Sequence, residues 1–146
     1  MTIRRAALMR FFLDANVLIS ASWKPNAEVA NIWQLQDVQL LTSILVMEEV
    51  QRNLPQMHQI ERLRGLMTAV AITPAIEWPA FTTAVPGLML LPEKDRHVLA
   101  AAYQARADFL ITGDKKHFKH WFGKVISGIR IEPPTHLLDN FRLRDP

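Results

Sequence analysis

Arg10-Phe11-Phe12-Leu13-Asp14-Ala15-Asn16-Val17-Leu18-Ile19 is the stretch on which the reading of this chain turns. A short apolar strand stops on a carboxylate and is followed at once by a helix-like apolar segment. That order presents an acid at the strand's carboxyl end, the edge where open α/β sheets bind ligands. Aspartate also caps helices and opens turns, so one such residue decides little. Far along the chain, Phe109-Leu110-Ile111-Thr112-Gly113-Asp114 repeats the pattern of apolar strand, carboxylate and helix. Two strand-end aspartates can therefore meet at one edge.

The 146 residues are 49% hydrophobic and 21% charged, the balance of a chain that buries a core. The net charge of +3 is compatible with a nucleic-acid partner without requiring one. No cysteine is present, which excludes a disulfide framework and a thiolate metal site and suits a reducing compartment. Arg10 and Asp14 interrupt what would have to be the apolar core of a secretory signal, and no apolar run approaches the ~18 residues that span a bilayer. The expectation is a soluble, cytoplasmic protein with no membrane partner, in which residues 1–8 form a loose basic tail.

Taken in order, Asn16 to Ser22 reads as a short helix ending before Trp23-Lys24-Pro25, and Asn26 as the cap of a second helix with Val29, Ile32 and Trp33 on its apolar face. Val38 to Leu41 is a strand candidate, after which Thr42 or Ser43 caps a helix running to Leu54 before Pro55. Gln56 to Ala71 has the pattern of one amphipathic helix, with Arg62 and Arg64 in water. Thr73 to Pro79 is irregular or a short strand, and its prolines exclude a central one. Pro86-Gly87 marks a turn, and Leu88 to Leu91 a short strand or covering segment. Pro92 opens an alanine-rich helix with Asp95 in its first turn, where the helix dipole alone is reason enough for an acid. Asp95 and Asp114 lie nineteen positions apart, the length of one helix, a turn and a strand, so both reach neighbouring points of one edge. Ile129 to Ile131 is a last strand, and Pro134 opens a final helix through Phe141.

Two further groups bear on chemistry. Glu48 and Glu49 are adjacent on a helix and, at roughly 100° per residue, cannot both face the same way. Ser43, Met47, Val50 and Leu54 form the buried stripe; Glu49 flanks it and Glu48 points nearly opposite, so Glu49 is the better candidate, against the plain alternative of two solvated acids. Lys115, Lys116 and Lys119 follow Asp114 with His117 and His120 on a basic helix, which reads as a solvated face or as a set of phosphate contacts.

Asp14, Glu49, Asp95 and Asp114 thus arrive at one sheet edge. Carboxylates about 4 Å apart repel by about 1 kcal/mol per pair in water and about 4 kcal/mol at an effective dielectric of 20, so a counter-charge is needed. Hard oxygen donors suit Mg²⁺ or Mn²⁺, ions that activate water and neutralise a phosphodiester during in-line displacement.

Four segments carry a resemblance: Leu13-Asp14-Ala15-Asn16-Val17-Leu18, Glu48-Glu49-Val50, Lys94-Asp95-Arg96-His97-Val98-Leu99-Ala100-Ala101-Ala102 and Leu110-Ile111-Thr112-Gly113-Asp114. In this order they resemble the PIN domain, a family of metal-dependent ribonucleases that includes VapC-like toxins. The resemblance implies an α/β fold over residues 1–146 as a single domain, a three-layer sandwich whose central parallel sheet of about five strands is flanked by helices. It implies a Mg²⁺- or Mn²⁺-dependent endoribonuclease in which Asp14 and Asp95 are the main metal ligands. Asp114 binds a second ion or positions water, Glu49 holds metal-bound water or orients a ligand, and Asn16 and Thr112 support by hydrogen bonding. The implied partners are RNA, a cognate antitoxin protein and a second copy of the chain in a dimer; the stretch from Pro55 to Leu90 would set RNA choice or dimer contacts.

Rival chemistries lack residues they need. A haloacid-dehalogenase-type phosphatase wants an acid where Asn16 stands, no HExxH motif backs zinc at His117 and His120, and there is neither a phosphate loop nor a nucleophile elbow. The remaining alternative is an inactive PIN-like module that binds RNA or protein without cutting.

Overall fold

The computed structural model describes residues 8–74 and 85–143. Among them, strands β1 (Met9–Leu13), β2 (Val38–Ser43), β3 (Val70–Thr73), β4 (Phe109–Ile111), β5 (Val125–Ile126) and β6 (Ile129–Glu132) form one sheet in the order β3-β2-β1-β4-β6-β5. All neighbours pair in parallel except β5 and β6. Phe11, Phe12 and Leu13 are fully buried, as are Leu110 and Ile111, which is why these strands read as continuous apolar runs: a central parallel strand is covered on both faces.

The helices are α1 (Ala15–Trp23), α2 (Ile44–Arg52), α3 (Met57–Met67), α4 (Arg96–Gln104), α5 (Lys115–Phe118) and α6 (Pro134–Asn140), with short 3₁₀ segments between them. Helix α1 packs against α2 and α3, whereas α4 packs against β2 and β4. The chain runs outward from β1 through β2 to β3, then returns to add β4 on the other side of β1. With right-handed crossovers this reversal puts α4 on the face opposite α1 to α3 and opens a crevice at the carboxyl ends of β1 and β4. Register holds those two ends level, with Leu13 beside Ile111. Edge-to-face packing of Phe11, Phe109 and Phe141, with ring centroids 5.1–5.8 Å apart, locks the same two strands lower down.

Several expectations change. The helix read from Gln56 to Ala71 stops at Met67; Val70–Thr73 is strand β3, because β-branched residues there find a parallel partner in Leu40–Ser43 of β2. As an edge strand it ends directly before Pro74, the place proline allows. Asn26 does not cap a helix: it takes a left-handed turn at φ 57°, and the following segment Glu28–Gln34 is 3₁₀ with Ala27 at its cap position. Arg62 is not simply in water, since its Nε and Nη2 donate to the carbonyls of Ser22 and Trp23 at 3.0 Å and satisfy the end of α1. A hairpin adds β5, turning through Ser127 (φ 55°) and Gly128 (φ 80°), the paired left-handed conformation that two-residue hairpin turns require. Leu88–Leu90 is a 3₁₀ turn covering the core with Leu88 and Leu91, not a strand. The expected tail, apart from Leu8, and the stretch from Ala75 to Pro79 lie outside the described residues. No helix among the described residues is long and apolar enough to cross a membrane.

Candidate functional site

The crevice between β1 and β4 is a cavity of about 440 Å³ whose lining includes Asp14, Asn16, Glu49, Asp95 and Asp114. Each arrives for a local reason. Asp14 ends β1 and caps α1, its Oδ1 accepting the backbone N–H of Ala15 at 2.8 Å. Asp114 ends the loop after β4 and caps α5, its Oδ1 accepting the backbone N–H of His117 at 3.2 Å. Asp95 stands at the start of α4, where its side chain makes no capping bond. Ser43 caps α2 through the backbone N–H of Val46 and so sets the helix rotation; Glu49 is half-buried at the cavity while Glu48 is exposed outside it.

Thr112 ties the two strand ends together. Fully buried, it donates its hydroxyl to Asp14 Oδ2 at 2.8 Å and accepts both the Asn16 amide at 3.3 Å and the Asp114 backbone N–H at 3.1 Å. Asn16 Oδ1 accepts the Gly113 N–H at 2.7 Å. Asn16 and Thr112 therefore brace the loop between the two aspartates.

Two of the acids, Asp14 and Asp95, are held against their preference. Asp14 is only 7% exposed, and its pKa is pushed from 3.8 up to about 6 by burial, opposed by its bonds to Thr112 and Ala15 and reinforced by the nearby charges of Glu49 and Asp114. Burial also raises Asp95, with His117 lowering it and Asp114 raising it. His97, in the same cavity, is pushed down by burial against the pull of Glu49 and Asp95. Asp95 Oδ2 and His97 Nδ1 are buried without a hydrogen-bond partner among the described residues.

The donor set fits a divalent cation. One ligand atom each from Asp95, Asp114 and His117 lie within 4.8 Å of one another, beside the orphaned oxygen of Asp95. Arg52 and Lys94 line the same cavity. Lys115, Lys116 and Lys119 are exposed and do not line it. His117 and His120 do not form a pair: His117 turns into the cavity, and the exposed His120 packs on Trp121 at 5.4 Å. Sequence reasoning gave His97 no role, and saw His117 as part of a basic run or, with His120, as an unsupported zinc pair; its place three residues after a strand-end aspartate was the signal that it returns to the same side. A larger cavity of about 520 Å³, lined by Tyr103, Arg106 and Ile129 among others, contains no carboxylate.

A family model described as PIN domain matches residues 10–116. Similar solved structures include DNA-bound VapBC from Salmonella typhimurium, at 16% identity over 87% of this chain and 99% of that one, TM-score 0.61. VapBC2 from Rickettsia felis bound to a promoter DNA fragment is similar at 14% identity over 86% and 98%, TM-score 0.60. A toxin–antitoxin complex from Klebsiella pneumoniae is similar at 25% identity over 80% and 96%, TM-score 0.55. No curated protein sequence matches the chain.

Proposed function

The chain belongs to the PIN domain family, and from that premise we propose that it is a divalent-metal-dependent endoribonuclease that hydrolyses RNA phosphodiester bonds. The observation that carries this reading is the convergence of Asp14, Glu49, Asp95 and Asp114 on one cavity at the sheet's switch point, with Asp14 pushed up to about 6. Such crowding is tolerable where a cation is to be received.

Asp14, Asp95 and Asp114 would hold Mg²⁺ or Mn²⁺, which supplies positive charge for the scissile phosphate and lowers the pKa of the attacking water. Glu49, half-buried on the α2 flank of the cavity, orients that water and accepts its proton. Thr112 and Asn16 fix the Asp14 carboxylate and the Gly113 backbone, so the acids need not reorganise when RNA binds. Lys94 and Arg52 at the cavity, with exposed Lys115, Lys116 and Lys119 beyond it, bind the phosphates on either side.

The likeness to toxin–antitoxin complexes supports a finer reading: a cytoplasmic toxin, dimeric and silenced by a cognate antitoxin encoded just upstream. The test is cleavage of a panel of RNAs with Mg²⁺, with Mn²⁺ and with EDTA, beside Asp95→Asn. Cleavage that needs metal and falls about 10²–10³-fold in Asp95→Asn is expected. Metal-independent RNA binding with no cutting would identify a binding module instead.

A further inference from the structure

We propose that His117 supplies a nitrogen ligand to the cation of this site, and that the site therefore takes Mn²⁺ in preference to Mg²⁺. The inference rests on the metal-dependent reading above and specifies its ion. The Asp114 to His117 turn is tightly organised: the His117 backbone N–H bonds Asp114 Oδ1 at 3.2 Å, and its Nδ1 lies 2.5 Å from Asp114 Oδ2, which leaves Nε2 as the ring nitrogen to take the ion. The ring is consequently held in the cavity instead of extending into water with the neighbouring lysines.

Among the described residues, Asp95, Asp114 and His117 are the one group of three or more acids and histidines whose donor atoms lie within 4.8 Å of one another; Asp14 lines the same cavity outside that group. Two carboxylates alone would suit any hard cation. An imidazole added to them changes the selection, because Mg²⁺ demands oxygen donors in a strict octahedron whereas later divalent ions accept nitrogen increasingly well. Mn²⁺ combines hard-oxygen affinity with tolerance for one imidazole. Asp95 Oδ2, buried and without a partner, is the second sign that the cluster awaits a ligand.

The rival role for His117 is an ion-pair partner that steadies Asp114 and never touches the metal. Titration calorimetry with Mn²⁺ and Mg²⁺, and pulsed electron paramagnetic resonance of the Mn²⁺-loaded protein, separate the two in the wild type, His117→Gln, His117→Ala and His97→Gln. We expect ¹⁴N modulation on Mn²⁺ in the wild type and in His97→Gln. Both His117 variants should lose it, with Mn²⁺ affinity down about 10-fold and Mg²⁺ affinity within about twofold. Modulation that survives in the His117 variants, or equal weakening of both ions, overturns the inference while metal-dependent RNA cutting by the wild type leaves the nuclease standing. Failure of the wild type to bind either ion or cut RNA overturns both.

Discussion

Strands β1 and β4 carry charge at both ends and treat it in opposite ways. At the amino end, the half-buried Arg10 guanidinium donates to the Ala105 carbonyl at 3.0 and 2.7 Å and to Gln39 Oε1 at 2.5 Å. Asp108 there accepts the Arg10 backbone N–H at 2.8 Å and donates its own N–H to the Arg10 carbonyl at 2.8 Å. Each of the three guanidinium nitrogens finds an acceptor. At the carboxyl end of the same strands, Asp14, Asp95 and Asp114 crowd one cavity, one oxygen has no partner and two of the three carboxyls are pushed upward. Polar groups that answer one another stabilise a fold, and polar groups left in conflict mark where it works on something else.

The widest separation of the two ends comes from a pair of substitutions. Asp14→Asn should lower RNA cleavage about 10²–10³-fold yet stabilise the metal-free protein at neutral pH. A carboxylate held at about 6 instead of 3.8 costs the fold about 3 kcal/mol when ionised, at 1.36 kcal/mol per pKa unit. Asparagine forfeits one of Asp14's two acceptor roles, worth about 1 kcal/mol, leaving a net gain of about 2 kcal/mol. Arg10→Ala should do the reverse, destabilising by about 1–3 kcal/mol through the carbonyl it strands, with cleavage per folded molecule unchanged. Chemical denaturation and initial rates on the two variants check this; an Asp14→Asn less stable than the wild type would break the contrast.

The pH dependence sharpens it further. Because the folded-state pKa of Asp14 lies above its ordinary value, the folded protein binds a proton between about 6 and 3.8 that the unfolded chain does not. Its share of stability therefore rises as pH falls through that window and is lost as pH climbs back. Asp95, also raised, acts in the same sense, whereas His97, lowered by burial, acts in the opposite one below its ordinary 6.5. Subtracting the Asp14→Asn curve from the wild-type curve isolates the first contribution. The advantage of the variant should shrink between pH 7.5 and pH 4.5, and parallel curves would show that Asp14 is not under strain.

Much of this polarity is written in the chain. An apolar run buried on both faces has no helical rhythm, so Phe11–Leu13 and Phe109–Ile111 declare central strands, and the aspartates that stop them declare the edge. Asp95 follows from spacing. Strand β3 was illegible because Val70 and Ala71 continue the apolar rhythm of α3, and only pairing with β2 makes them extended. The hairpin to β5 depends on Ser127 adopting a left-handed backbone that the tertiary fold imposes. His117 hid among lysines: a run of exposed cations suggests a solvated face, yet the brevity of α5 and the cap at Asp114 turn the third residue inward.

The same opposition between answered and conflicted charge recurs within one turn of α2, and there the expected effects are smallest. Glu48 and Glu49 are neighbours in sequence, alike in chemistry and about 100° apart around the helix. Glu49 lines the cavity and its charge bears on both Asp14 and His97, whereas Glu48 is exposed to water. Glu49→Gln should therefore lower cleavage by up to about 10²-fold through a misplaced water, while Glu48→Gln should stay within about twofold of wild type, in keeping with a surface change. Equal losses in both would mean that the helix contributes only its overall negative charge to the site. Unequal losses would trace the difference to the Ser43 cap, because its bond to Val46 fixes the rotation that turns one glutamate toward the cavity and its neighbour toward solvent.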